Sequence, residues 1–580
     1  MVSLTTGLAW RRRSMTDVVT AVVAALPLVI AALLLVGALW PATKAMPVAW
    51  LAAVGVGVFV WNLPFNWIAA TSMWGVMLAV EILWIVFGAL VLLYTLQQAG
   101  AIERITDEFE SISEDHRVQT ILVGFFLTTF LTGVAGFGTP AAIAAPLLVG
   151  LGFPPLAAVV AALVGHAIAT TFGAVGVPIR PSVSDSIGSV DGVSAAEASV
   201  FAAEVSTLAG LYHLLPGLFV PLVTVSMVVY FFGDTTKRSL APIKPVVPLA
   251  LVAGVAFIVP FVLTAVFVGP ELPSVIAPMI GGAVTVWLLK QGWLLPATDW
   301  QFPRAEIWPD GWAGEQTFGA TDNRQSTPTM ATDGGPSLSL ARAGAPYVLL
   351  VVLLVATRDF TPVGALLTEI PVFTLTWDGI FGTTIANGIE WAYVPGAWLV
   401  LTALVSIPLF GLSRAEVKQA WRDAGSTSKS PAIALVFVIG TVGIMLQSGQ
   451  YPNAPNGASM IVALADGIGL VFTDVYTLIA APIGVIGTFV TGSVAVSNIT
   501  FSALQYEIAI SAGFVEQHVV AAQATGGAMG NAISIHNVIA ALATVGLVGK
   551  EGTIIRLNLL PVVAYTLFIA ATLSVVVLVL

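Results

Sequence analysis

The feature that most constrains this chain is the recurrence of apolar runs too long and too uniformly greasy for a water-soluble core. "VVTAVVAALPLVIAALLLVGALW" (18–40) carries no charge and is apolar on every face. Similar runs, near the ~20 residues that cross a hydrocarbon core, recur to the end of the chain. Charged residues make up 9% and hydrophobic ones 57%, against about 25% charged in a soluble domain. A transmembrane β-barrel would show ~10-residue alternating segments, which the runs do not. The fold class expected is an all-α polytopic membrane protein with about 12–15 crossings.

The 580 residues contain no cysteine, which excludes disulfides, thiolate-held metals, Fe–S clusters and thiol catalysis. The five histidines (116, 166, 213, 518 and 536) are scattered, so no metal site is expected, and no cofactor. Net charge is −10, and no nucleic-acid partner is expected. "AWRRRSMTDVV" (9–19) resembles the basic start of a signal peptide, but the following run exceeds a 7–15-residue h-region and "ALWPATKA" is a poor cleavage site. A retained first span is the better reading.

Lys and Arg are richer in 1–17, 233–245, 290–343 and 413–430 than in 41–45, 97–117 and 358–392. This bias predicts a cytoplasmic N-terminus in a multi-pass protein of the cytoplasmic membrane. "AIERITDEFESISEDHRVQ" reads as an amphipathic surface helix on the outer side. Residues 296–343, rich in Pro, Gly, Thr and Asp, read as a cytoplasmic linker. They divide an N-terminal membrane half (1–295) from a C-terminal half (344–580).

Each half holds one copy of a repeat, with cores at 118–231 and 475–580. "FLTGVAGFGTPAAIAAPLLVGLGF" (130–153) leads into "VVAALVGHAIATTFGAVGVPI" (159–179). "FVTGSVAVSNITFSALQYEIAISAGF" (489–514) leads into "VVAAQATGGAMGNAISIHNVI" (519–539). Counting crossings, copy one enters from outside and copy two from inside, the inverted-repeat plan of secondary transporters with sites at discontinuous helices. Breaking a helix in hydrocarbon strands backbone groups, so irregular backbone survives only within protein or beside a wet cavity.

Thr132, Gly133, Gly136, Phe137, Gly138 and Thr139 with Pro140 would interrupt the first span, and Thr491, Gly492, Ser493, Ser497 and Asn498 the second. Half-helix N-termini then offer N–H groups and a positive dipole end to a small organic anion. The same glycines suit packing seams between helices; their clustering with Thr and Pro in both copies favours the site. Five residues of the second helices, His166 in copy one and Thr525, Gly526, Ser534 and His536 in copy two, are candidate substrate contacts. His166, Glu81 and Glu507 are candidate proton carriers, ionisable groups at membrane depth being costly and usually functional. The alternatives are a histidine bonded to a carbonyl and a structural carboxylate. Arg180 reads as a snorkelling arginine at a span end.

At these residues the chain resembles the L-lactate permease family of proton-coupled 2-hydroxycarboxylate transporters. The first half carries the resemblance in "DEFESISEDHRVQTILVGFFLTTFLTGVAGFGTPAAIAAPLLVGLGFPPLAAVVAAL" and "TTFGAVGVPI", the second in "GTFVTGSVAVSNITFSALQ", "ATGGAMGNAISIHNVIAA" and "VGLVGKEGTIIR". It implies import of L-lactate, or of D-lactate or glycolate, with protons. Three departures stand out. The family's Asp-Thr-Ser-Ser-Asn reads Val494, Ala495, Val496, Ser497, Asn498; a usual lysine is Asn531; and a usual Pro-Gln is Ile535 and His536. The acid expected for coupling is therefore missing, so sodium coupling or another small organic anion is the alternative. A homo-oligomer is compatible with all of this. A channel would want filter rings, an enzyme clustered catalytic groups and a pump a Walker loop; the chain has none of these.

Overall fold

The computed structural model describes residues 15–38, 40–136, 138–190, 192–234, 237–309, 311–313, 338–357, 361–451, 458–472, 475–547 and 549–579. Among them, nine helices are long and apolar enough to cross a membrane, and seven more are apolar but shorter. Helices α1 (Met15–Ala32), α2 (Ala42–Phe59) and α3 (Phe65–Gln98) form an antiparallel trio. Pro41 and Pro64, both extended, stand before α2 and α3 and set the reversals. At 34 residues, α3 is about 50 Å long, enough to project beyond the bilayer.

Helix α4 (Ala101–Glu110) is the expected amphipathic surface helix. It does not lie opposite the basic loops, however. Arg104 Nε donates to Leu338 O at 3.0 Å, and Lys290 pairs with Glu108. Arg117 Nη2 donates to Thr298 O at 3.0 Å, and Tyr94 meets Thr427 at 2.9 Å. Residues 97–117 thus share one face, here the linker face, with 238–245, 290–309, 338–342 and 414–430. The expectation that put 97–117 across the membrane from them is corrected. That reading counted 118–152 as one crossing, which put 97–117 and 233–245 on opposite faces.

The next segment overturns a second expectation. Helices α5 (His116–Val134) and α6 (Thr139–Gly150) do not cross as one broken span. Their outer ends adjoin: His116 Nε2 lies 3.0 Å from Leu151 O, and the His116 ring packs on Phe153 at 5.0 Å. The pair is a re-entrant hairpin, entering and leaving by the linker face, with residues 135, 136 and 138 at its tip. Asp115 caps α5, accepting from Arg117 N at 2.8 Å. The Arg117 and Asp115 side chains are buried together. Around this base Trp300, Phe302 and Trp312, within the expected linker, pack in: Phe302 N donates to His116 Nδ1 at 3.0 Å and Trp300 N to Asp115 Oδ2 at 3.1 Å.

Helix α7 (Pro155–Gly176) rises from the linker face, turns 3-10 over Ala167–Phe172 and reaches the opposite, distal face. Short α8 (Ser182–Gly188) follows, then α9 (Ala195–Leu218) and α10 (Val220–Phe232) return to the linker face, and α11 (Val247–Phe267) and α12 (Pro273–Lys290) form an antiparallel pair. Helix α13 (Leu340–Ala356) leads to a distal hairpin of β1 (Leu375–Trp377) and β2 (Asn387–Ile389), and α14 (Pro395–Phe410) and α15 (Arg414–Gln447) run back and forth. A Cβ on Gly75 of α3 would sit 2.7 Å from Gly440 N of α15, the close backbone seam that small residues permit in membranes.

Helix α16 (Met460–Phe472) is 13 residues long, too short to cross as a straight helix. It begins at the distal face, where Trp61 Nε1 donates to Ala458 O at 3.0 Å, and leads into a second hairpin on that face. Helices α17 (Tyr476–Thr491) and α18 (Val494–Ala512) are its arms, tied near their base by Tyr476 OH to Gln505 Oε1 at 2.6 Å. Helices α19 (Glu516–Asn531) and α20 (Ile535–Thr544) then run toward the linker face, and α21 (Glu551–Val579) returns. The two hairpins therefore enter from opposite faces, the first from the linker face rather than, as the count of crossings had it, from the outside. Helix α1 starts on the distal face, its Ala21 against Gly467 of α16, so the start of α1 and the basic loops occupy different faces.

Candidate substrate site between two hairpin tips

The tips of the hairpins meet. Thr132, Gly136, Gly492, Ser493, Val494 and Ala495 line one cavity of about 30 Å³ with Thr170, Gly173, Ala174, Val177, Pro178 and Asn531. Gly136 (φ +59°) and Gly138 (φ +80°) turn the first tip, and Gly492 (φ +79°) the second. Left-handed backbone of this kind is cheap for glycine and costly for residues with a Cβ. Gly138 is the N-cap of α6, and Ser493 is the N-cap of α18, its hydroxyl accepting from Val496 N at 3.4 Å. The N-terminus of α18 thus opens onto the cavity through Ser493, Val494 and Ala495, the first tip lines it through Gly136, and the described lining has no charged side chain.

Thr132 Oγ1 is turned back to Thr128 O at 2.7 Å, and Thr139 Oγ1 closes the first tip on Gly136 O at 2.7 Å. Thr491 binds Gly487 O at 2.7 Å. Asn498 is buried below the second tip, its Nδ2 donating to Pro178 O at 2.7 Å. His166 reaches the cavity wall through Asn531, Nε2 to Oδ1 at 3.1 Å. Ser534 caps α20, accepting from Asn537 N at 3.4 Å. Phe137 lies outside the described residues.

Other expected contacts are structural. Gly133 abuts the backbone of Ser274 and Gly526 that of Ala481, so both are packing seams between helices. Thr525 turns into its own helix, bonding Ala521 O at 2.9 Å. Ser497 lies between the arms of its hairpin, accepting from Gln523 Nε2 at 3.1 Å. Glu507 is farther along α18, some 20 Å from the tip at ~1.5 Å per residue. Thr170, Ala174, Asn531 and the 177–178 segment are site residues that motif reading missed. Asn531 was visible only as a departure from the family pattern.

A cavity of 30 Å³ has room for about one water, not for an organic anion, so loading requires the tips to part. Each face supplies an approach. A vestibule of about 320 Å³ on the linker side, with Trp40, Ser430 and His536 on its walls, shares Gly492 and Ser493 with the cavity. On the distal side a second of about 320 Å³ holds Glu81, Arg180, Asp185, Glu271, Glu390 and Tyr393. There Glu81 Oε2 accepts from Glu390 N at 3.3 Å, and Arg180 pairs with Glu271 at 3.1 Å and lies over the Tyr393 ring. Arg180 is therefore an ion-paired wall residue rather than a snorkelling one. Ala174 (φ +45°) and Val175 (φ +54°), both left-handed without being glycine, separate the distal vestibule from the cavity. A third space of about 300 Å³, lined by Val164, Ile168, Phe219 and Phe568, is almost wholly apolar and unsuited to an anion.

Fold and site together define a polytopic α-helical membrane carrier, its polar site enclosed between two opposed hairpins and approached from either face. The chain belongs to the L-lactate permease family, whose model matches residues 20–580. It is 27% identical over 551 residues to a putative L-lactate permease of Haemophilus influenzae, covering 91% of this chain and 93% of that one. It is 29% identical over 498 residues to the L-lactate permease of Bacillus subtilis (82% and 81%), and 26% identical over 530 residues to the glycolate permease GlcA of Escherichia coli (86% and 85%). Among solved structures it is similar to the YdaH transporter of Alcanivorax borkumensis, at 13% identity and a TM-score of 0.35, over 96% of this chain and 98% of that one. It is a permease and not an enzyme.

Proposed function

We propose that this protein imports L-lactate, or a closely related small 2-hydroxymonocarboxylate such as glycolate, across the cytoplasmic membrane in symport with protons. The observation that carries the reading is the meeting of two oppositely inserted hairpin tips on one uncharged cavity, with the N-terminus of α18 opening onto it. Backbone N–H groups at such ends bind a carboxylate without an arginine. The hairpins and the helices that follow them form an inverted pair, the plan on which alternating access is built. The relatives' names supply the substrate class. The linker face, with most of the Lys and Arg, is cytoplasmic, which puts the start of α1 outside.

In this scheme the tips part toward one vestibule, take up the anion and close. The barrier at 174–178 then yields toward the other. Uptake of labelled L-lactate into proteoliposomes, with an imposed pH gradient, an imposed sodium gradient or neither, tests the proposal. Accumulation driven by the pH gradient alone is expected. Accumulation driven only by sodium would replace the proton, and failure to move any 2-hydroxy acid under either gradient would sink the reading.

A further inference from the structure

His166 stands where the α-helical part of α7 gives way to its 3-10 turn, fully buried, with both ring nitrogens engaged. Nδ1 lies 2.6 Å from Ala162 O. A carbonyl only accepts, so Nδ1 carries a hydrogen. Nε2 lies 3.1 Å from Asn531 Oδ1, which also accepts from Asn537 Nδ2 at 2.9 Å. In a neutral ring with its proton on Nδ1, Nε2 is an acceptor and would oppose an amide oxygen. As the amides stand, both nitrogens donate, the imidazolium arrangement; with both amides turned, Asn531 Nδ2 donates to Nε2 of a neutral ring and Asn537 Oδ1 accepts, so each charge state of His166 has its own amide arrangement.

With its oxygen shared by His166 and Asn537, Asn531 has its amide nitrogen left for the cavity that it lines. Asn537 in turn has a buried Oδ1 with no hydrogen-bond partner, set at 2.6 Å from where a Cβ on Gly138 would lie. The group of three therefore reaches from the titratable ring to the cavity wall and to the first hairpin tip.

We infer that His166, Asn531 and Asn537 form a polarity relay that ties the charge on His166 to the cavity's affinity for a carboxylate; this rests on the proton–lactate reading above and names the residues that couple the two. With His166 charged, the N–H₂ of Asn531 faces the cavity and donates to the anion. When the tips part and Nε2 gives its proton to water entering the cavity past Asn531, it becomes an acceptor, and the Asn531 amide turns by about 180° to donate to it. The amide oxygen then faces the carboxylate and repels it. Asn537 turns in the same movement, and its orphaned Oδ1 accepts the second hydrogen of Asn531 Nδ2. Proton and anion are held together and released together.

Other titratable groups on the helices around His166 are engaged elsewhere. His213 on α9 and Tyr565 on α21 bond each other at 2.6 Å, and Thr171 meets His213 at 2.7 Å. His518 on α19 bonds Tyr212 of α9 at 2.8 Å. His116 and Arg117 are held at the base of α5 by Leu151 O and Asp115. His536 on α20 lines the linker-side vestibule. Tyr230 on α10, Glu516 on α19, and Glu551 and Arg556 on α21 sit at the ends of their helices.

The test is calorimetric binding of L-lactate to the purified full-length protein in buffers of different ionisation enthalpy, which counts protons taken up. Wild type is expected to take up about one proton per lactate at alkaline pH, its affinity falling about tenfold per pH unit there. His166→Gln, and Asn531→Leu with the histidine intact, are both expected to bind without proton uptake and with a flat pH profile. Proton uptake retained in either variant overturns the relay, as does lactate binding to wild type without proton uptake, a result that stands even if neither variant inserts. Absence of L-lactate binding to wild type at every pH instead overturns the proton–lactate reading, and the relay with it.

Discussion

Gly138→Ala puts the substrate site to a quantitative test. At φ +80° and ψ −14°, the left-handed backbone costs alanine about 1–2 kcal/mol. The new Cβ would meet Asn537 Oδ1 at 2.6 Å, forcing that amide to turn and break its 2.9 Å bond to Asn531. A hydrogen bond of this kind contributes about 0.5–1.5 kcal/mol. Together the two effects come to about 2–3 kcal/mol, or roughly 30- to 150-fold in an equilibrium or rate. The loss is expected in kcat/KM for counterflow of labelled L-lactate in proteoliposomes, with insertion unchanged. Gly150→Ala, in the same hairpin but with no atom within 4 Å of the added Cβ, is the control and should transport as wild type. Exchange by Gly138→Ala within about threefold of wild type would refute the reasoning.

Three further outcomes follow from local geometry. Arg117→Leu strands the buried Asp115 carboxylate and unties the hairpin base from Pro242 O and Thr298 O; a loss of about 3–5 kcal/mol is expected, visible as a collapse of the melting temperature in detergent. Val175→Gly relieves a left-handed β-branched residue, a strain of about 1–3 kcal/mol, so the variant should melt no lower than wild type; a clear drop would contradict the assignment of strain there. Glu108, beside Lys290 and Arg104, has its carboxyl held below the usual carboxylate range. Its folded value being the lower one, the stabilisation is present above the unfolded value of about 4.3 and lost as pH falls through the folded value. Being at the surface, it contributes only about 0.2–1 kcal/mol. Melting curves from pH 6 to 3 should accordingly be slightly less pH-dependent in Glu108→Gln.

The class of the protein was legible from the apolar runs, because hydrocarbon tolerates little besides helices. The tips were legible too: Thr132, Gly136, Gly492 and Ser493 stand on the cavity where the glycine clusters pointed. Direction was not legible. The arms of the hairpins have the length and hydropathy of half-buried spans, and neither periodicity nor composition says whether a chain continues through a break or doubles back. Only the adjacency of His116 to Leu151 and of Tyr476 to Gln505 settles it. Gly133 and Gly526 could not be told from tip glycines by sequence, since a close helix contact and a left-handed turn both select glycine. Thr170 and Asn531 lie in the repeated blocks, but nothing in those blocks marks them as site residues; their place at the site comes from where α7 and α19 pass the tips.

A structure of the protein with L-lactate bound tests the central claim most directly. The account predicts the carboxylate between the two tips, within hydrogen-bond distance of backbone N–H groups at the starts of α6 and α18 and of the Asn531 amide nitrogen. Lactate lodged instead beside Arg180 in the distal vestibule, with the tips still closed on each other, would contradict it.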